Sequence, residues 1–501
     1  MASPQLSSTV IDYVDHSSSN PGPTAKRSWL SSVLPPSSSS NRVNESSQSL
    51  EALAYVDPLR DDIDVDPEFK LPSVKSLFVV IGGNALFQLS FFIIVSSASA
   101  YAEYLGGSAT FSGLIIGIPT LFSGMALIFV AKYDGGQYHR ALNIAYAAMI
   151  VGSILHALAY RANWLYLILI GRMVSGIGFT SFMFSKRYCS DPRIVGIRRR
   201  TTLASWLVIG QAFGFSAGPF LGGLLYKVGF SNNVFNGYTS PGWVMAGVWV
   251  IFTVASKLLF EDVGKPSSEL IKLRAVSEQG TDAPLALDGP SSSATNILND
   301  QEETHRLTAR QWGVVICMCY YSMTCFFILG GWESNIPIFS AIALGYSPYN
   351  AGNFIAIGGI TTFPFLLLNV RYARRIQDRV TLATGSALGL AGLVIMLAIL
   401  QADKVSFGTF YVCWVLVALG FNLASTCTLS LLSKQLPDTW NGKISMAIQY
   451  SNYAGRLTGA IMGGAGVKMG MSRYIGVQIA IVGIGGLMHL TLWRELKAKT
   501  G

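Results

Sequence analysis

Residues 165–176 read LYLILIGRMVSG, an apolar stretch whose eighth residue is an arginine, Arg172. The apolar character continues over 164–185. That is long enough to cross a hydrocarbon core of roughly 30 Å, which takes about 20 residues. An arginine at the centre of such a helix costs about 2.5–3.5 kcal/mol on insertion scales, so it faces a watery cavity and has a task.

Outward from this stretch, runs of the same kind recur between short polar loops. They are predicted near 76–100, 110–131, 141–160, 164–185, 202–226 and 242–260, and again near 311–332, 349–370, 381–400, 408–432, 444–467 and 474–493. The chain reads as an all-α membrane protein of 12 transmembrane helices in two pseudo-symmetric six-helix bundles, 75–260 and 310–495. Residues 1–74 are rich in Ser, Pro and Asn and end in an acidic run, which predicts a disordered cytosolic tail. Residues 261–309 form a polar cytosolic linker with no span of its own, and 496–501 a short cytosolic tail. No basic segment leading into an apolar one opens the chain, so no signal peptide is expected.

Of the 501 residues 51% are apolar and 13% charged, outside the range of an ordinary soluble protein of this length. The net charge of +9 is unevenly placed: with 1–70 and 261–309 set aside, 27 Lys and Arg stand against 8 Asp and Glu. A body so short of carboxylates is a poor host for cations. Loops 2–3, 4–5, 8–9 and 10–11 hold 14 Lys and Arg and the opposite loops hold five, which by the positive-inside rule puts both termini and the linker in the cytosol. The glycosylation sequon at Asn44 then faces the cytosol and is expected to stay unmodified.

The second half has its own intramembrane arginine, Arg456 in SNYAGRLTGAIMGG, at a depth similar to that of Arg172. A guanidinium forks its donors onto two oxygens of a phosphate or carboxylate. The eight acids of the body, Glu103, Asp134, Asp191, Glu333, Asp378, Asp403, Asp438 and Glu495, all fall at predicted helix ends or in loops. Neither arginine is therefore expected to have a fixed carboxylate partner, and both are expected to receive an anionic substrate between the halves. The alternative for Arg172 is that it bonds backbone carbonyls and locks its helix to neighbours.

Glu333, placed just after the seventh predicted span at its luminal end, is the candidate for proton coupling. Lys186 and Arg187 end the fourth span and are candidates for a cytosolic vestibule. Gln88, Gln211 and Tyr321 are candidates for further hydrogen bonds to the ligand, although polar residues also hold membrane helices together. His156 and His489 stand alone and read as packing residues, and the six cysteines show no paired spacing. No metal site, cofactor motif or nucleotide-binding loop is found, and the run Arg198, Arg199 and Arg200 suits anionic lipid better than nucleic acid.

Several motifs carry a family resemblance. In GFSAGPFLGG, Gly214, Gly218, Pro219, Gly222 and Gly223 match a helix-packing pattern of the major facilitator superfamily. The loop AKYDGGQYHRAL keeps Asp134 and Arg140 of that superfamily's signature between spans 2 and 3 and lacks its Gly-Arg pair. The stretch from Gly171-Arg172 through Gly176, Gly178, Arg187-Tyr188 and Ser190-Asp191 resembles the vacuolar phosphate transporters that join an SPX domain to this fold, and their lysosomal relatives. Glu333-Ser334, LGYSP before span 8, Asp378-Arg379 and Asn441-Gly442 extend it. The tail is not an SPX domain, so regulation through one is not implied.

The resemblance implies the major facilitator fold, alternating access, and gating roles for Asp134 and Asp191 beside Lys186 and Arg187. It implies a monomeric, non-enzymatic transporter of a small anion such as inorganic phosphate, with protons as a possible second substrate, in a vacuolar, lysosomal or other endomembrane. Two rivals stay open: a proton-coupled antiporter of organic solutes, suggested by the Gly-Pro motif, and an anion channel-like or sensor protein on the same fold.

Overall fold

In the computed structural model the described residues are 67–133, 137–191, 193–230, 232–262, 307–372, 376–436 and 440–497. Asp134, Asn44, nearly all of the predicted tail and most of the linker lie outside them. The first half contains α1 (Val74–Phe92), α2 (Ala98–Tyr104), α3 (Ala109–Tyr133), α4 (Tyr138–Ala162), α5 (Leu165–Gly178), α6 (Ser181–Ser190), α7 (Ile197–Val228) and α8 (Ser240–Leu259). The second contains α9 (Ala309–Leu344), α10 (Pro348–Tyr372), α11 (Asp378–Gln401), α12 (Phe407–Gln435), α13 (Asn441–Met469) and α14 (Met471–Thr491). Successive crossings alternate in direction, so Val74 and Thr491 share one face, here called the basic face.

Spans 1 and 4, predicted as continuous, are each broken. Between α1 and α2, Val95 N–H donates to Phe92 and Ser97 N–H to Ile94. Between α5 and α6, Phe179 donates to Gly176 and Phe182 to Phe179. These i to i−3 bonds tighten the turn and shift the helical phase of everything beyond them. Span 7 departs the other way: α9 runs 36 residues, past Pro337, to a left-handed Gly345 with φ 65°. Glu333, expected at a luminal helix end, is therefore an interior helical residue.

Among the described residues eleven crossings are long and apolar enough to span a membrane. The twelfth, α13, has the length, 29 residues, but a lower apolar content because Gln449, Asn452, Tyr453 and Arg456 interrupt it. Those four residues turn out to share a purpose.

Small residues bring helices together within and between the halves. A Cβ on Gly214 would stand 2.6 Å from Leu89 N and one on Gly218 2.5 Å from Phe92 Cβ, while one on Gly222 would collide with the Ile93 carbonyl. These three thus seat α7 on the end of α1. A Cβ on Gly223 would stand 3.0 Å from Tyr349 Cα of α10 in the other half, and one on Gly352 of α10 would collide with the Pro219 carbonyl. On the other flank Gly113 of α3 abuts the Ala460 carbonyl of α13, and a Cβ on Gly464 would lie 2.5 Å from Ala109 O. All of these inter-half contacts lie toward the face opposite the basic one, which they close.

Candidate functional site

Between the halves lies a cavity of about 130 Å³. The first half supplies Gln88 and Phe91 from α1, Thr120 and Ser123 from α3, Phe179, Phe182 and Lys186 from the broken fourth crossing, and Gln211 from α7. The second supplies Phe326 from α9 and Gln449, Asn452, Tyr453 and Arg456 from α13. The lining comes from the middle and the basic-face halves of the helices, so the cavity is approached from the basic face.

Arg456 does not stand alone. Its Nη2 donates to Glu333 Oε2 at 2.5 Å, with Glu333 2% and the Arg456 side chain 14% exposed. Sequence reading left Arg456 without a carboxylate because it ended the seventh span before Glu333. In the longer α9, Phe326, Gly330 and Glu333 fall on one face, and Gly330 has no side chain to hold Arg456 off. The guanidinium carbon also lies 4.6 Å from the Phe91 ring centre and 5.0 Å from that of Phe92. Its position is held by one charge pair and a ring of aromatic faces.

Lys186 is exposed within the cavity. It is the cavity's one charge not engaged in an ion pair among the described residues. Gln88 and Gln211 line the cavity, and Gln211 Nε2 donates to Asn84 Oδ1 at 3.4 Å, tying α7 to α1.

Two expected ligand residues are placed elsewhere. Arg172 is 3% exposed and lines a separate small cavity inside the first half; its Nε donates to the Ile115 carbonyl at 3.2 Å. Phe179, Phe182 and Lys186, toward the basic-face end of the fourth crossing, line the main cavity, whereas Arg172, at least seven residues earlier in the crossing, lines the cavity inside the first half. Tyr321 is 3% exposed and packs edge-on against His489, with ring centres 5.9 Å apart, inside the second half. At about 100° per residue it sits roughly 140° around α9 from Phe326, which does line the cavity.

Two of the vestibule candidates, Asp191 and Arg187, join one cluster on the basic face. Asp191 accepts from Tyr138 OH at 2.8 Å, from Arg193 N at 2.9 Å and from Arg193 Nη2 at 2.6 Å. Arg187 lies over the Tyr138 ring at 5.7 Å. The end of the fourth crossing is thereby fastened to the start of the third. The second half repeats the arrangement with Asp378, at the start of α11, accepting from Ser430 at 2.6 Å and Lys434 at 2.8 Å on α12. Burial pushes the Asp191 carboxyl up, and the hydrogen bonds from Arg193 and Tyr138 outweigh it and hold it at about 2.

Sequence reading missed Gln449, Asn452, Tyr453, Thr120 and Ser123. The signal was present: 449, 452, 453 and 456 follow i, i+3, i+4, i+7, a polar stripe along one face of an otherwise apolar helix. Tyr453 also joins the halves, its OH accepting from Ser123 at 3.0 Å and its carbonyl from Thr120 at 3.3 Å. Ser322 donates to Asn452, fixing the amide at the cavity wall.

Comparison with known proteins agrees with this architecture. The family model described as Major Facilitator Superfamily matches residues 80–460. An uncharacterised MFS-type transporter of Schizosaccharomyces pombe is 31% identical over 86% of this chain and 84% of its own length. An SPX domain-containing membrane protein of Arabidopsis thaliana is 34% identical over a shorter stretch, 36% of this chain and 26% of its own. Among solved structures, the peptide transporter POT superposes with a TM-score of 0.61 at 16% identity, covering 85% of this chain and 97% of its own. A D-xylose–proton symporter gives 0.59 at 17%, covering 85% and 99%. Fold, cavity and these matches agree: the chain is a multi-pass integral membrane protein that belongs to the major facilitator superfamily.

Proposed function

We propose that the chain is a proton-coupled carrier of a small anion that works by alternating access, with Arg456 and Lys186 as its anion-binding groups and Glu333 as its proton carrier. The observation that carries this is the Glu333–Arg456 pair at the wall of a cavity shared by both halves. A guanidinium can serve a fixed carboxylate or an arriving anion. Protonation of Glu333 releases Arg456 to the substrate, and loss of the proton restores the pair and expels it. Substrate and proton are then linked through one guanidinium. Lys186 draws the anion in from the basic face, while Gln88, Gln211, Gln449 and Asn452 supply uncharged hydrogen bonds.

By the positive-inside rule the basic face is cytosolic, so this conformation is the one open to the cytosol. The resemblance to vacuolar transporters supports inorganic phosphate as the first anion to test, and an endomembrane bounding an acidic compartment as the location. Asp191, Arg187 and, by the loop motif, Asp134 act in the cytosolic-side gate. The test is labelled phosphate flux into proteoliposomes at a series of pH gradients, for the native protein and for Arg456→Gln. Gradient-dependent flux abolished by the substitution is expected, and native flux indifferent to the gradient would overturn the coupling.

A second reading rests on a different feature of the same cavity. Phe91, Phe179, Phe182 and Phe326 give it a strongly aromatic wall, which suits an anion with an organic body. The buried Glu333 supplies the intramembrane carboxylate that a proton-coupled carrier of this kind needs. Competition of organic anions against phosphate in the same vesicles separates the two.

A further inference from the structure

The main cavity leaves Arg172 unused. This guanidinium is inside the first half, and among the described residues no carboxylate pairs with it. Its Nε is satisfied by Ile115 and its Nη2 has no hydrogen-bond partner. His156 on α4, 4% exposed, likewise has an Nδ1 without a partner. Both line the same cavity of about 20 Å³, together with Ser90, Ser153 and Ser175. A space of about 10–15 Å³ holds one water-sized probe, so the cavity takes one atom-sized guest and excludes phosphate or any polyatomic anion of that size.

The lining selects among such guests. Arg172 offers only N–H donors, and a neutral imidazole can present its Nδ1 as a donor too. Ser175 spends its hydroxyl proton on the Gly171 carbonyl and Ser90 on the Leu86 carbonyl. A buried cation without a partner is strongly unfavourable, whereas a monatomic anion between Arg172 Nη2 and His156 Nδ1 both neutralises it and satisfies two orphaned polar groups. We propose that Arg172 and His156 hold a single halide-sized monovalent anion inside the first bundle, a bound structural ion separate from the transported substrate. Close packing builds the site: a Cβ on Gly152 would lie 2.6 Å from Gly171 O, so α4 and α5 approach until only a small gap beside His156 and Arg172 is left.

The test is thermal unfolding of the purified full-length protein in detergent, with chloride or bromide replacing gluconate at constant ionic strength. A saturable rise in Tm of about 1–3 °C is expected. It is expected to vanish in Arg172→Gln and in Ser153→Leu, which fills the cavity with an apolar side chain, leaves the charge in place and serves if the arginine variant does not fold. It is expected to persist in Lys186→Met, which acts on the main cavity. Equal Tm in chloride and gluconate for the native protein would mean that the cavity holds water and would overturn the proposal. A saturable rise surviving in both cavity variants would place the ion elsewhere and also overturn it.

Discussion

The Glu333–Arg456 pair allows a double-mutant cycle whose size follows from the geometry. With 2% and 14% of the two side chains exposed, solvent screens the pair little. Charge centres about 4 Å apart attract by about 4 kcal/mol at an effective dielectric near 20. Removing one partner leaves the other charged in the bundle, and Glu333→Gln and Arg456→Gln are each expected to cost about 3–5 kcal/mol. Removing both removes the charge as well as its desolvation cost, so the double variant is expected to lie within about 1–2 kcal/mol of the native protein. The assay is unfolding of the four proteins in detergent under one set of conditions, with flux measured in parallel. Glu333→Gln is expected to bind anion with no dependence on pH, because nothing competes for Arg456. Single variants as stable as the native protein, or a double variant whose loss equals the sum of the two, would refute the claim that the pair is a coupled buried unit.

Three further expectations follow from other parts of the fold. Lys186→Met removes one charge-assisted hydrogen bond of about 1.5 kcal/mol, so it should raise the KM for anion about tenfold, as read from initial flux at varied concentration. Asp191, held at about 2, contributes stability that is complete above its unfolded pKa near 4 and is lost as the pH falls from there toward 2. Asp191→Asn is expected to be less stable at neutral pH and to lack that part of the acid limb, measured by unfolding between pH 2 and 6. Gly113→Ala puts a methyl group against the Ala460 carbonyl in the conformation open to the basic face. An overpacking cost of about 1–3 kcal/mol there, roughly 5- to 150-fold, should shift the population toward the state open to the opposite face. Increased labelling of a cysteine introduced at Leu457 by an impermeant thiol reagent from that face would show it.

The crossings and the division into halves were legible because each requires only a long apolar run, and such runs need no tertiary information. The packing role of Gly214, Gly218 and Gly222 was legible for a related reason: spacing by four defines a helix face before its partner is known. Helix continuity was harder to read. Nothing in LYLILIGRMVSGIGFTSFMFSKR marks the tightening at Phe179, and nothing local says that Lys186 faces the shared cavity while Arg172 faces one inside the first half. In the seventh crossing the error ran the other way: Glu333 and Pro337 look like a terminus, whereas the stop signal is Gly345, twelve residues beyond the charge. A buried glutamate is affordable there only because Arg456, 123 residues away in sequence, meets it. Such pairing is a tertiary fact that no local pattern announces.

The two intramembrane arginines look equivalent in sequence, one per half at similar depth, and the structure gives them opposite settings. Arg456 has a carboxylate partner and lines a cavity shared by both halves, which is the setting the proposed exchange between Glu333 and a ligand requires. Arg172 bonds the Ile115 carbonyl and lines a cavity whose walls all come from the first half. In rocking, the contacts that must change are those across the halves, Gly113 with Ala460 and Gly352 with Pro219, while contacts within a bundle persist. An arginine at the boundary is therefore placed to couple binding to motion, and one inside a bundle to keep that bundle rigid while it moves. The phenylalanine at position 91 lies within 5.5 Å of the first guanidinium carbon and 4.6 Å of the second. Among the described residues it is the aromatic face that both guanidiniums share, and a substitution there should alter transport and first-half stability together, where Lys186 alters transport alone.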